Sequence, residues 1–213
     1  MKNIIVTGAS SGVGLDLCRR LCCNNNVFGI SRSRGPLEHK HYTHWEIDLS
    51  KLDSIHIPED LEVDVLINAA AIFHTGPLYQ QDEQNIIGMI NTNLTGLILL
   101  TRAVLPKMNP DGNIINISSV SGTYGIKHQA VYAATKHALN GFSDALNKET
   151  SIKVTTLCPG GINTPLWNDQ NPYAGDVNKL IDTRELSDLV EFSLINNHTT
   201  YKHITLFPNT ETH

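Results

Sequence analysis

Seven short runs rich in β-branched residues punctuate this chain, and helical stretches lie between most of them. The runs are residues 3–7, 26–31, 43–47, 63–68, 113–118, 153–158 and 203–207. The helical stretches are 13–23, 82–108 (long enough to kink), 130–148 and 184–196. Strands that alternate with helices imply βαβ units, hence a parallel sheet covered on its faces by the crossovers. Right-handed crossovers narrow the topology to a doubly wound, Rossmann-like α/β fold of about seven strands with helices on both faces. Segments 32–42 and 48–62 are short, so one or both of those crossovers should lack a full helix. At 213 residues a single domain over 1–213 is expected, with a short polar lid around 166–180.

The first run passes directly into Thr7-Gly-Ala-Ser-Ser-Gly-Val-Gly14, where the first helix begins. Glycine permits a tight turn and lets the backbone approach a ligand. The free N–H groups at a helix start, with the helix dipole, suit a pyrophosphate. Gly8, Ser10, Ser11, Gly12, Val13 and Gly14 are therefore candidate cofactor-binding positions. A glycine cluster alone is a weak signal, but strand–turn–helix is the context that the dinucleotide fingerprint requires. After the second run, an NAD-selective site carries an acidic residue for the ribose 2′-hydroxyl. This chain has Ser31-Arg-Ser-Arg34 there. Arg32 suits a 2′-phosphate through charge-assisted hydrogen bonds, so NADP(H) is expected over NAD(H).

A second constellation occupies residues 119–136. Ser119 ends a buried run, and Tyr132 and Lys136 follow on one helix at i and i+4, which places both on one face. A phenol with a free pKa of about 10 exchanges protons poorly near neutrality. A neighbouring ammonium should lower that value, and a strand-end hydroxyl could hold a substrate oxygen. Each of these residues alone is more often a packing, surface or turn residue.

Net charge is −5, and no basic stretch suggests nucleic acid or an anionic membrane surface as partner. No apolar run reads as a membrane span, and the N-terminal apolar run is too short for a signal peptide, so a cytoplasmic location is expected. Cys18, Cys22, Cys23 and Cys158 read as reduced, mostly buried thiols, and the ten histidines are scattered. No metal site is expected.

Thr7-Gly-x-x-x-Gly-x-Gly14, Asn68-Ala-Ala70, Asn93, Ser119, Tyr132-x-x-x-Lys136 and Pro159-Gly160 occur in that order. Together they resemble the short-chain dehydrogenase/reductase family, in its compact single-domain branch, over about residues 3–166. The resemblance implies Tyr132 as general acid in reduction and base in oxidation. Lys136 would lower its pKa and bind the nicotinamide ribose, and Ser119 would hold the carbonyl oxygen. Asn93 is similar to the family's fourth catalytic residue, which kinks its helix and holds a water that relays protons to Lys136; Asn91 competes for that place. Asp48, with Leu49, resembles the adenine contact. Asn68, Ala69 and Ala70 would pass beside the adenine-ribose region and brace the sheet, although the third position is commonly Gly. The loop Pro159-Gly160 to Thr164 would lie under the nicotinamide, with Ile162 and Thr164 binding its carboxamide.

An NADP(H)-dependent oxidoreductase acting on a small-molecule ketone, aldehyde or alcohol is the expectation. A catalytically silent dinucleotide-binding sensor or scaffold is the alternative. Phe73, His74, Tyr124, His128 and Trp167 are candidate substrate-facing residues. The family commonly pairs two helices with their copies, and here residues 93–108 are apolar nearly all round, with Phe142 and Leu146 on the next helix. A homodimer or homotetramer is therefore expected.

Overall fold

A computed structural model describes residues 1–173, 175–195 and 199–209. Its strands are β1 (Asn3–Thr7), β2 (Asn26–Ser31), β3 (Tyr42–Glu46), β4 (Val63–Asn68), β5 (Met108–Ile117), β6 (Lys153–Pro159) and β7 (His203–Leu206). They form one parallel sheet in the order β3-β2-β1-β4-β5-β6-β7. Its helices are α1 (Gly12–Leu21), α2 (Glu83–Ile90), α3 (Gly96–Val104), α4 (Ala130–Glu149) and α5 (Thr183–Ile195).

The period-two alternation of strand side chains builds two cores, one on each face. Ile4 and Val6 of β1 join Val65, Ile67 and Ile115 beneath Leu17 of α1 and Val190 of α5. Ile5, between them in sequence, joins Ile30, Leu66 and Ile114 beneath Leu100 and Val104 of α3 and Leu146 of α4. Hydrogen bonds from Ser187 to Asp16 and from Arg20 to Asp188 and Glu191 fasten α5 to α1.

The chain steps outward from β1 through β2 to β3, then crosses back to β4 and continues the other way. That reversal leaves a crevice at the C-terminal ends of β1 and β4, where doubly wound sheets bind ligands. As expected, the two short crossovers hold no α-helix; the second contains only a 3-10 turn, Leu52–Ser54. β5 starts at Met108, earlier than the sequence suggests, through an irregular segment whose register shifts between Val63 and Val65. The last residue of the expected helix 184–196 lies outside the described residues.

The long helix is one run in three parts. α2 passes into a π-helical turn, Asn91–Thr95, and then α3, ending in a 3-10 turn at Leu105–Lys107. Gly96 lies against the Leu49 carbonyl so closely that a Cβ would overlap it. The π turn is the bulge that carries the helix past this contact. Because α2 and α3 are continuous, the run Glu83–Lys107 is long enough to cross a bilayer, and an 18-residue window within it has a mean hydropathy of 1.2, which the sequence alone did not suggest. The core helix of a globular protein shares this composition, and 33% of that window is buried in the protein.

Candidate active site

Thr7 ends β1 with a buried hydroxyl that accepts the N–H groups of Ala69 and Ala70 at 3.0 and 2.9 Å. The C-terminal ends of β1 and β4 are thereby tied on the floor of the crevice. Gly8 turns the chain at φ +73°, where a Cβ would meet the Ala70 backbone at 3.0 Å. Gly12 is also left-handed, at φ +52°, with Thr164 of the loop after β6 packed over it. Ser11 precedes α1 without a side-chain cap, and the first turn carries no acidic residue. Uncapped N–H groups at a positive helix end fit a dinucleotide pyrophosphate.

At the end of β2, Arg32 and Ser33 line the same cavity. The Ser31 hydroxyl donates to the Ser33 carbonyl at 2.9 Å and lies 3.0 Å from His44 Nε2. Asp48 and Leu49 line it after β3. Burial pushes the Asp48 carboxyl up, but the Ser50 hydroxyl at 2.7 Å, the Ser50 N–H at 3.0 Å and the charge of Arg32 outweigh it. Asp48 therefore titrates below its usual range.

Asn68 corrects one expectation. Ala69 and Ala70 line the cavity, whereas Asn68 is fully buried on the other side of β4. Its amide donates to Asn116 Oδ1 at 2.8 Å and to Thr101 Oγ1 at 3.3 Å. Asn116 in turn donates to Ser143 of α4 at 2.8 Å. Asn68 thus braces β4, β5, α3 and α4 and does not reach the cavity, because consecutive strand residues face opposite ways.

The reacting groups converge where β5 ends. Ser119 follows β5 and opens a tight turn, its hydroxyl accepting the Ser121 N–H at 3.1 Å. Tyr132 and Lys136 descend α4 into the same cavity, of about 750 Å³, with Pro159, Gly160, Ile162 and Thr164 opposite. Lys136 Nζ donates to the Ile117 carbonyl at 2.8 Å and lies 5.6 Å from the Tyr132 ring centre. Contrary to the expectation that the ammonium lowers it, the Tyr132 pKa lies above its ordinary value. Burial pushes the phenol up to about 12, with a Ser119 hydrogen bond pulling the other way. Burial also brings Lys136 down to about 8. Desolvation disfavours the charged form of each group.

Asn93 sits in the π turn, fully buried and outside the cavity lining. Its amide donates to the Ile72 carbonyl at 2.8 Å, accepts the Ile72 N–H at 2.8 Å and reaches Thr135 Oγ1 at 3.5 Å.

Of the substrate-facing candidates, Phe73, Tyr124 and Trp167 line the cavity and His74 and His128 do not. The His128 carbonyl instead accepts Gly76 N–H at 2.8 Å and the Thr75 hydroxyl at 3.1 Å. Ser121, Ile126, Gln129 and Tyr173 also line it, and sequence reasoning missed them. Gln129 was findable: it lies one helical turn before Tyr132. Cys18, Cys22 and Cys158 are buried free thiols, Cys23 is exposed, and burial raises the first two and Cys158. Among the described residues no group of three His, Cys, Asp or Glu side chains could hold a metal ion.

The sequence pattern of the family described as short chain dehydrogenase matches residues 2–174. This chain belongs to the short-chain dehydrogenase/reductase family. The match includes the glycine turn, Asn93, Ser119, Tyr132, Lys136 and the loop after β6. The chain is 36% identical over 181 residues to a 3-ketodihydrosphingosine reductase of Bacteroides thetaiotaomicron, covering 79% of this chain and 66% of that one. Its fold is similar to a serine dehydrogenase in complex with NADP+, with a TM-score of 0.86, 25% identity and coverage of 99% and 96%. It is also similar to a 4-hydroxyisoleucine dehydrogenase in complex with NADH, with a TM-score of 0.84, 25% identity and coverage of 97% and 96%. This short-chain dehydrogenase/reductase is accordingly an oxidoreductase that takes a nicotinamide dinucleotide and a small-molecule substrate.

Proposed function

We propose that this enzyme is an NADP(H)-dependent oxidoreductase that reduces a ketone or aldehyde to an alcohol, or runs the reverse reaction. The observation that carries this reading is one cavity lined at one end by Ser119, Tyr132 and Lys136 and at the other by the glycine turn and Arg32. A bound nicotinamide dinucleotide supplies or accepts the hydride. The protein does the rest. Gly8 and Gly12 admit the phosphates to the start of α1. Arg32 pairs with the 2′-phosphate. Ser119 holds the carbonyl oxygen, and Tyr132 donates its proton to that oxygen as the C=O π bond breaks and the C–H and O–H bonds form. Burial keeps Tyr132 protonated across the neutral range, which suits the acid role. Lys136 orients the tyrosine and the ribose beside it. Asn93 acts as a positioning residue by fixing the loop that carries Ile72 and Phe73.

The two similar enzymes are in complex with different dinucleotides, so the NADP(H) preference rests on Arg32 and on the absence of an acidic residue at the end of β2. Titration with NADPH and NADH, followed by fluorescence, tests it. Tight NADPH and weak NADH binding is the expected result. Binding of neither would remove the enzymatic reading.

The exposed faces of α2 and α4 favour self-association. On α2, Ile87 is 49% and Ile90 41% exposed, and Phe142 is half-buried on α4, which packs beside α2, whereas Leu97, Leu100, Val104 and Leu146 are spent on the protein's own core. A homodimer or homotetramer through these helices is the proposed state; sedimentation as a monomer at micromolar concentration would contradict it.

A further inference from the structure

The two ends of the cavity differ in charge. Arg32 and Asp48 stand at the ends of β2 and β3, whereas Ser119 follows β5. Three strand spacings separate β2 from β5, roughly 14 Å. Beyond Ser119 the wall is built from Phe73, Tyr124, Ile126, Leu166, Trp167 and Tyr173. Among the described residues of that half, the one charged side chain is Lys136, which is 2% exposed and engaged with the Ile117 carbonyl.

The wall is mostly aromatic, its polar atoms confined to the edges of the rings. Phe73 packs edge-on against Trp167 with ring centres 5.4 Å apart, and Trp167 packs against Tyr173 at 5.0 Å. Trp167 spends its single N–H on the Ile162 carbonyl at 2.9 Å. A hydrogen-bonded polar pair adjoins this aromatic surface. The Ser121 hydroxyl donates to Gln129 Oε1 at 2.8 Å. With its oxygen so engaged, the Gln129 amide keeps its NH2 group, which has no protein partner among the described residues and which lies on the cavity lining one turn before Tyr132.

We propose that this half of the cavity selects an uncharged carbonyl compound with a flat apolar body, seated among Phe73, Trp167 and Tyr173, and a neutral hydrogen-bond acceptor facing the Gln129 amide. The inference rests on the carbonyl-reductase reading above and names its substrate class. A carboxylate, phosphate or ammonium group would lose hydration there and find no exposed counter-charge, since Lys136 is buried and held by the Ile117 carbonyl, which is costly in such surroundings. A carbonyl, ether or hydroxyl oxygen meets a donor already oriented by Ser121. Gln129 is then a specificity-determining residue, since a polar group built to meet one substrate atom discriminates against analogues that lack it.

The test uses the full chain with NADPH and matched ketones: a fused-ring aryl ketone, the same ketone bearing a methoxy or ester oxygen, and the same ketone bearing a carboxylate. The expected result is a kcat/KM for the acceptor-bearing neutral ketone roughly 100-fold or more above that for the carboxylate. Gln129→Leu should shrink the preference for the acceptor-bearing over the plain ketone by about tenfold, through KM. Gln129→Arg should move preference toward the carboxylate. Equal turnover of carboxylate and neutral ketones, or a Gln129→Leu protein that keeps the wild-type preference, overturns the proposal while leaving the carbonyl-reductase reading intact. A protein that binds NADPH and reduces no member of the series overturns that reading and this one with it.

Discussion

Asn93 grips the backbone of Ile72 on both of its polar groups, donating to the carbonyl and accepting from the N–H at 2.8 Å each. The π turn of the long helix is thereby joined to the loop that leaves β4. Both Ile72 groups would be stranded if the amide were removed. Asn93→Ala should cost about 2–4 kcal/mol of stability. Chemical denaturation should show a lower midpoint at unchanged slope. An unshifted midpoint would mean that water or the π turn itself satisfies those groups.

Tyr132→Phe keeps the ring that packs edge-on against Phe73 at 4.8 Å and removes only the hydroxyl. Carbonyl reduction should fall by roughly 10²–10⁴-fold. NADPH affinity should stay within about twofold, since the phosphates are bound elsewhere in the cavity. Steady-state kinetics beside a fluorescence titration separates the two effects. Near-normal turnover would require a different proton donor.

Burial brings the Lys136 ammonium down to about 8 from an ordinary value of 10.5. Below pH 8 the folded and unfolded chains both carry the charge, and the folded state bears the full desolvation cost. Between pH 8 and 10.5 the folded chain sheds a proton that the unfolded chain keeps, so this group's contribution to stability rises with pH. Lys136→Met lacks the titrating group, which isolates the effect from the cysteines and from Tyr132. Its stability advantage over wild type should shrink from pH 7 to pH 10, by on the order of 2–3 kcal/mol. A difference that stays constant with pH would show that Lys136 is not held down by burial.

Arg32→Ala should weaken NADPH binding by about 10–100-fold and NADH binding by no more than about threefold. Added salt should narrow the wild-type preference, because Arg32 is exposed and screened. Equal losses for both dinucleotides would assign Arg32 to the shared adenosine half.

Local pattern made much of this molecule legible. The alternation of Ile4, Ile5 and Val6 and the glycines behind them give β1, the turn and α1 within a residue or two, since these depend on neighbours in sequence. The spacing of Tyr132 and Lys136 likewise places them on one face of α4. Asn68 braces the sheet as expected but lies outside the cavity lining, because a motif does not say which face of a strand each member takes. The Tyr132 pKa was misjudged because it depends on total burial, which a count of neighbouring charges misses. The pairing of Trp167 with Phe73 joins residues 94 positions apart, beyond any periodicity. Gly96 gave no sequence sign of the Leu49 carbonyl that it accommodates.

Thr7 fastens β1 to β4, whereas Ser119, Tyr132 and Lys136 all belong to the segment running from the end of β5 into α4. Grip on the dinucleotide and geometry of the reacting groups are thus assigned to separate mechanical parts. A loosened Thr7 clamp would therefore spoil loading while the reacting groups keep their places, so the enzyme could run empty without running blunt.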